Sequence, residues 1–396
     1  MTTATHDAQR STAPAPAARV LMIAGEASGD LHGADLLRAL RARVPRLEVF
    51  GIGGADLRAA GMQTVVDAGE VATVGVVEAV SHVRQLYGVY RTLVRRLREH
   101  PPDLCILIDF PEFNLRVARA AKRAGVPVLY YIGPQVWAWR RGRVRKIARR
   151  VDRLAVVFPF EPPLYETQLP GVEFVGHPLL DRVRVTRSRE ETRARYGLDA
   201  SRRTVVLLPG SRTTEIDNLL PPLLDAARRL AREDDCQFAL ALAHTLTREE
   251  VEARLAGAGI PVPVVGGDTY NLVAASDLAL VTSGTATLEC ALLECPMVIV
   301  YRLAPVSWLI ARLLVHGVRC VGMPNIVAGH EIVPELLQRQ ATGERIAAAA
   351  QGILRDPARR AAMVDELRGV RRSLGRGGAA GRAAAIALEM LGGRAA

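Results

Sequence analysis

The chain has 396 residues, 49% of them hydrophobic and 23% charged, which is the make-up of a folded globular protein and excludes a disordered chain, a collagen and a disulfide scaffold. Its formal net charge is +11 and its pI is near 10, so the candidate partners are nucleic acid, an anionic membrane surface or a phosphorylated substrate. Only Lys122 and Lys146 are lysines; the preference for arginine is a compositional habit before it is a function.

In chain order, residues 1–18 are rich in Ala, Pro, Ser and Thr and read as a disordered tail, without the apolar core of a secretory signal. From Arg19 on, short apolar runs alternate with helical stretches. Val20–Ala24, Leu47–Phe50, Leu104–Asp109 and Val126–Ile132 read as strands, with helices over Leu31–Arg43 and Phe113–Ala124. The polar stretch Arg187–Arg203 reads as a candidate inter-domain linker with room for a short helix. After it the rhythm restarts with strands at Thr204–Leu208, Gln237–Ala243, Val262–Val265, Leu278–Thr282 and Met297–Tyr301. This alternation implies an α/β protein with two doubly wound halves, 19–186 and 187–355, whose carboxyl strand ends enclose a ligand cleft. Residues 356–396 form C-terminal helices, poor in large core residues, expected to pack on the first half of the same or a partner chain. No apolar run reaches the roughly 18–20 residues of a membrane span. Cys105, Cys236, Cys290, Cys295 and Cys320 form no C-x-x-C pair and read as reduced thiols, mostly buried.

Six constellations bear on chemistry. After the first strand comes Gly25-Glu26-Ala27-Ser28-Gly29-Asp30-Leu31-His32-Gly33. A tight turn capped by Asp30 or Ser28 explains the small residues but requires neither Glu26 nor His32. Asp109, ending a strand before Phe110-Pro111-Glu112-Phe113-Asn114, is placed either to take a proton from an attacking hydroxyl or to cap a helix. Ile132-Gly133-Pro134-Gln135-Val136-Trp137-Ala138-Trp139 precedes a block with eight basic residues between Arg140 and Arg153; no zinc-finger, RRM or KH signature accompanies it, and nucleic acid is not the expected partner.

In the second half, Leu208-Pro209-Gly210-Ser211-Arg212 suits a phosphate cradle, too short for a Walker A motif. Thr282-Ser283-Gly284-Thr285-Ala286-Thr287-Leu288-Glu289 suits either a diphosphate loop with Glu289 on ribose hydroxyls or a capping box led by Thr285 or Thr287. Asn325, following Pro324, is either a sugar or phosphate contact or an ordinary turn asparagine. No metal-ligand spacing occurs, and no metal or other cofactor is expected.

Taken together, GEASGDLHGA, GIGG, IDFPEFN, GPQVWAWRRGRVRKI, FPFE, FVGHPLLD, LLPGSR, SGTATLECALLECPMVIVYR and MPNIVAGHEIVPELLQ resemble the lipid-A-disaccharide synthases, over about Val20–Leu337. The resemblance implies a GT-B glycosyltransferase whose last helix crosses back to the first domain. The implied donor is UDP-2,3-diacylglucosamine and the implied acceptor 2,3-diacylglucosamine 1-phosphate (lipid X). They would give a β-1,6 disaccharide 1-phosphate and UDP with inversion and without metal. It implies that Asp109 is the base and that Glu26, Arg212 and Asn325 belong to the catalytic set. Gly210, Ser211, Arg212, Ser283, Gly284, Thr285 and Glu289 would bind the UDP-sugar. His32, Gln135, Trp137, Trp139 and Arg140 are assigned to the acceptor or bilayer side. Other GT-B enzymes, such as a UDP-sugar epimerase, would share the nucleotide half but not QVWAWR or IDFPEFN.

Because both substrates carry acyl chains, the protein is expected to be cytoplasmic and to meet the inner face of an anionic inner membrane peripherally. Gly69–His100, with Val76, Val77 and Arg91–Arg98, and the Trp137–Arg150 region are the candidate surfaces; a core-packed amphipathic helix pair is the alternative for the first. A homodimer is compatible with the reading.

Overall fold

The computed structural model describes residues 18–68, 79–137, 142–302 and 320–392. Trp139, Arg140, Val76 and Val77 lie outside them.

The first half holds β1 (Ala18–Ala24), β2 (Leu47–Gly53), β3 (Gln63–Asp67), β4 (Leu104–Ile108), β5 (Val128–Tyr131), β6 (Arg153–Val156) and β7 (Val172–Phe174). The second holds β8 (Arg203–Leu208), β9 (Cys236–Leu242), β10 (Val264–Gly266), β11 (Leu278–Thr282), β12 (Met297–Tyr301) and β13 (Glu335–Leu337). Each set forms one sheet, ordered β3-β2-β1-β4-β5-β6-β7 and β10-β9-β8-β11-β12-β13. Among the described residues the strand pairings are parallel, for example Met22 with Ile106 and Leu280 with Leu207. The order reverses between β1 and β4 in one sheet and between β8 and β11 in the other, and doubly wound sheets bind ligands at such reversals.

The central strands are apolar on both faces because helices cover both. Leu21, Ile23, Cys105, Leu107 and Tyr130 point to one side, beneath α3 (Ala79–Glu99) and α4 (Pro111–Arg123). Met22, Ala24, Ile106, Ile108 and Tyr131 point to the other, beneath α1 (Ala27–Arg41).

α1 starts four residues before the expected Leu31. Neither Asp30 nor Ser28 caps it; Glu26 stands at its N-cap position without a side-chain cap bond. Asp30 is buried and accepts from the backbone N–H groups of Gly54 (2.6 Å), Asp56 (2.9 Å) and Leu57 (3.3 Å), so it caps α2 (Ala55–Ala59) instead.

The stretch read as a linker is packed against the second half. It contains the short helix Arg189–Arg195, with a Ser188/Glu191 capping box. Arg193 and Arg189 reach the buried Asp277 carboxylate at 2.8 and 2.5 Å, which ties this helix to the second sheet.

The C-terminal helices divide. α11 (Pro357–Ser373) packs on α8 (Thr285–Leu292), α9 (Met323–Ala328) and α10 (Gly343–Leu354) of the second half, not on the first. Only α12 (Ala379–Gly392) packs on α1, β4 and β6 of its own chain, through Ala383, Ala384, Ile386 and Ala387. The two chain crossings are stitched together. His177 N–H donates to Leu374 O (3.0 Å), Gly378 N–H to Asp181 Oδ1 (2.7 Å) and Arg382 Nε to Val175 O (2.9 Å).

The five cysteines are free thiols, four buried and Cys320 partly exposed. Among the described residues no helix is long and apolar enough to cross a membrane.

Candidate active site

At the reversal of the first sheet, β1 delivers Gly25-Glu26 and β4 delivers Asp109 to the same edge. Asp109 and Phe110 both hold left-handed backbone conformations, φ 45° and 47°, and so does Ile132 after the neighbouring β5, φ 57°. Non-glycine residues rarely do this, and a β-branched isoleucine least of all. Asp109 N–H continues the ladder to Ile132 O (3.2 Å). Its own carbonyl accepts from Tyr130 Oη (2.5 Å) and Asn114 Nδ2 (2.8 Å). Helix α4 then starts at Pro111, with Phe110 rather than Asp109 at the N-cap position and no side-chain cap.

Burial, and then the Glu26 carboxylate nearby, push the Asp109 carboxyl up to about 6, against a backbone donor that lowers it. A carboxylate with that affinity for protons is suited to general-base chemistry near neutrality.

His32, on the second turn of α1, lines a 540 Å³ cavity with Asp35, Tyr131, Asp181, Arg182 and Tyr270, which places it between the two halves. Burial and the Arg182 guanidinium hold the imidazole down at about 4, so it is neutral at physiological pH. Its Nδ1 and the Tyr131 hydroxyl are buried without hydrogen-bond partners among the described residues.

Gln135 is exposed beyond β5. Trp137 is partly buried and packs edge-on against Phe158 and Phe160, with ring centroids at 6.1 and 5.5 Å. The FPFE string is the floor of that cluster, and Glu161 within it accepts from Phe158 N (2.9 Å) and Val157 N (3.2 Å). The basic block is partly consumed internally. Arg143 pairs with Glu112, Arg150 donates to Leu115 O (2.8 Å) and Arg153 pairs with Glu173.

At the reversal of the second sheet, the loops after β8 and β11 stand side by side. Gly210 has φ 128°, and α6 (Thr213–Glu233) starts at once. The N–H groups of Ser211 and Arg212 donate to Glu215 Oε2 at 2.8 and 3.3 Å, and Arg212 Nη1 lies 3.1 Å from Glu215 Oε1. The expected cradle therefore already holds a carboxylate from its own chain. Glu215, three residues past Arg212, was not singled out in the sequence.

In the second loop Ser283 Oγ donates to Val321 O (3.0 Å), and α8 begins after Gly284 with no side-chain cap. The capping box led by Thr285 or Thr287 does not form. Glu289 instead accepts from Tyr270 Oη (3.1 Å), and burial raises its carboxyl above the ordinary range. Tyr270, on α7 (Thr269–Ala274), carries no sequence signal.

Asn325 is turned inward. It lies inside α9, fully buried, and its amide is saturated. Nδ2 donates to Val333 O and Glu335 Oε1, both at 2.8 Å, while Oδ1 accepts from Ile332 N (2.8 Å) and Val333 N (3.0 Å). No donor is left over for a sugar or phosphate, because the loop behind the helix consumes them all.

Residues 20–387 match the family model described as lipid-A-disaccharide synthetase. The chain belongs to the lipid-A-disaccharide synthase family. It is 51% identical to the lipid-A-disaccharide synthase of Geobacter metallireducens over 379 residues, 96% of this chain and 98% of that one. With that of Syntrophus aciditrophicus it shares 49% over 375 residues, 94% and 97% of the two chains. The protein is thus a glycosyltransferase of lipid A biosynthesis that forms the lipid A disaccharide.

Solved structures agree on the fold. UDP-GlcNAc 2-epimerase from Neisseria meningitidis bound to UDP-GlcNAc superposes with a TM-score of 0.63 at 12% identity, covering 94% of this chain and 99% of that one. The calicheamicin glycosyltransferase CalG4 superposes at 0.61 and 16%, covering 96% and 99%. At such identities the likeness carries architecture alone: two Rossmann-like halves of the GT-B type.

Proposed function

We propose that the synthase joins UDP-2,3-diacylglucosamine to lipid X in a single inverting displacement with Asp109 as general base. The observation that carries this is the Asp109 carboxyl, held at about 6 beside Glu26 on the reversal edge of the first sheet. Asp109 takes the proton of the acceptor 6-hydroxyl as its oxygen bonds to donor C1. The bond from C1 to the diphosphate oxygen breaks, and UDP leaves with the electron pair.

Arg212, with its side chain 78% exposed, exchanges its exposed pairing with Glu215 for the leaving diphosphate, and the uncapped N-terminus of α8 adds N–H donors at Ser283, Gly284 and Thr285. Glu289 suits the ribose hydroxyls. Positive charge and backbone dipoles at the diphosphate make a metal unnecessary. Asn325 supports the site as a fastener of the loop 329–335 rather than as a contact. In this reading His32 and Gln135 remain on the acceptor side.

Peripheral contact with an anionic bilayer on the cytoplasmic side fits α3. It exposes Arg84, Arg91, Arg95 and Arg98 together with Tyr87, 60% exposed. Sedimentation with anionic against zwitterionic liposomes tests this. Binding that is unchanged in Arg91→Glu/Arg95→Glu counts against it.

The reaction is tested by incubating both lipids with the enzyme in the presence and absence of EDTA and assigning the new anomeric linkage by NMR. A β-linked product formed equally with EDTA supports the scheme; an α-linked product or loss of turnover with EDTA contradicts it.

A further inference from the structure

Three successive features of the β4–α4 turn have no role in the scheme above. The first is the pair of left-handed residues Asp109 and Phe110. A peptide chain leaves that region unless neighbours hold it there, and such strain gathers where a side chain has to be aimed. The second is the Asp109 carbonyl, which receives two side-chain donors at once, Tyr130 Oη at 2.5 Å and Asn114 Nδ2 at 2.8 Å.

The third is Asn114 itself. It is fully buried, its Nδ2 also donates to Ile108 O (3.1 Å), and its Oδ1 has no partner among the described residues. A buried acceptor left unmet is costly. The amide is therefore present for its two donor bonds, both of which land on the last residues of the strand that carries Asp109. Tyr130 comes from β5, so the clamp grips the Asp109 peptide from the adjacent strand as well as from its own helix.

We propose that Asn114 and Tyr130 are positioning residues for Asp109: their donors capture its main-chain carbonyl, hold the left-handed Asp109–Phe110 pair and so fix the carboxylate beside Glu26. The inference rests on Asp109 being the base, and it identifies what sets that base in place. Without the clamp the turn relaxes toward ordinary backbone angles and the carboxylate swings away from Glu26 toward water. The titratable groups that bear on it are the Glu26 carboxylate from the start of α1 and the neutral Tyr130 hydroxyl from β5; the cation bearing on Tyr130 is Arg143 of α5 (Arg143–Ala148), which is paired with Glu112 of α4.

The experiment compares wild type, Asp109→Asn, Tyr130→Phe and Asn114→Ala. It reads kcat, KM for UDP-2,3-diacylglucosamine, UDP affinity by calorimetry and the pH dependence of kcat/KM. Tyr130→Phe keeps the ring and its packing, so it reports even where Asn114→Ala folds poorly. The expected result for Tyr130→Phe is a kcat lower by about 10- to 100-fold with KM and UDP affinity unchanged, the loss a small displacement of a catalytic group brings. Its acid limb also moves from near 6 toward the ordinary carboxylate range. An inactive Asp109→Asn beside a Tyr130→Phe with wild-type kcat and acid limb overturns the clamp alone. An Asp109→Asn of near-wild-type rate overturns the base reading and the clamp with it.

Discussion

The Phe110 ring lies over Gly25: a Cβ built on that glycine would stand 2.5 Å from Cδ1 of the ring. Gly25 follows β1 and Phe110 follows Asp109, so this close approach lets the Glu26 turn and the Asp109 turn share one edge. Phe110 is held in turn by stacking on Phe113, with centroids at 5.4 Å.

Gly25→Ala is therefore expected to pry the two turns apart. Overpacking of this kind costs about 1–3 kcal/mol, and here it also separates Glu26 from Asp109. Denaturant unfolding and steady-state kinetics check it. Loss of kcat beyond the stability change is expected, and an unimpaired Gly25→Ala enzyme contradicts the geometry.

Asp109 links activity to stability through pH. Its folded-state carboxyl titrates at about 6, against about 3.9 in an unfolded chain. The raised value means the folded state binds the proton more tightly. Wild-type stability thus falls as pH rises through about 4 to 6 and stays reduced above. Asp109→Asn is expected to be more stable than wild type at pH 8, on the order of 1–3 kcal/mol, with the difference gone below about pH 4. Urea melts at both pH values test the sign.

Glu215 occupies the N–H groups of Ser211 and Arg212 that the leaving diphosphate would use. Glu215→Gln removes the competing negative charge at nearly constant shape. UDP is expected to bind several-fold tighter, at a cost of about 0.5–1 kcal/mol in helix capping. Calorimetric titration with UDP decides it; weaker binding assigns the carboxylate to support of the cradle instead.

Asn325→Ala is expected to lose stability, on the order of 2–4 kcal/mol, because it orphans buried partners at Val333 and Glu335. UDP affinity measured well below the melting transition is expected to persist. A stable variant that binds no UDP would restore Asn325 to direct contact.

Much of this architecture was legible because of burial. β1, β4, β8 and β11 are covered on both faces, so each reads as an unbroken apolar run, and the residues that follow them became the candidate site. β3, β7 and β13 escaped notice as edge strands, half-exposed and without a continuous apolar run, and β6 as a four-residue strand beside the edge; β7 and β13 have three residues each, Val172–Phe174 and Glu335–Leu337. The early start of α1 was hidden by glycines that look like loop. Gly29 is buried against the sheet there, where a Cβ would lie 3.6 Å from Ala24 Cβ and 3.7 Å from Ile108 Cγ2.

The roles of Asn325, Trp137 and Tyr130 were not legible for a different reason. Each depends on partners fixed only by the fold: the carbonyl of Val333, the rings of Phe158 and Phe160, the carbonyl of Asp109. A side chain's type shows what it is able to bond, and only its neighbours show what is left for a substrate.

The central claim is that Asp109 activates the acceptor hydroxyl. Lipid-X-dependent release of UDP from UDP-2,3-diacylglucosamine, measured for wild type and Asp109→Asn alongside UDP affinity, tests it most directly. A general base contributes about 10²- to 10⁴-fold, so Asp109→Asn should lose turnover on that scale while binding UDP as wild type does. Turnover within a few-fold of wild type would contradict it.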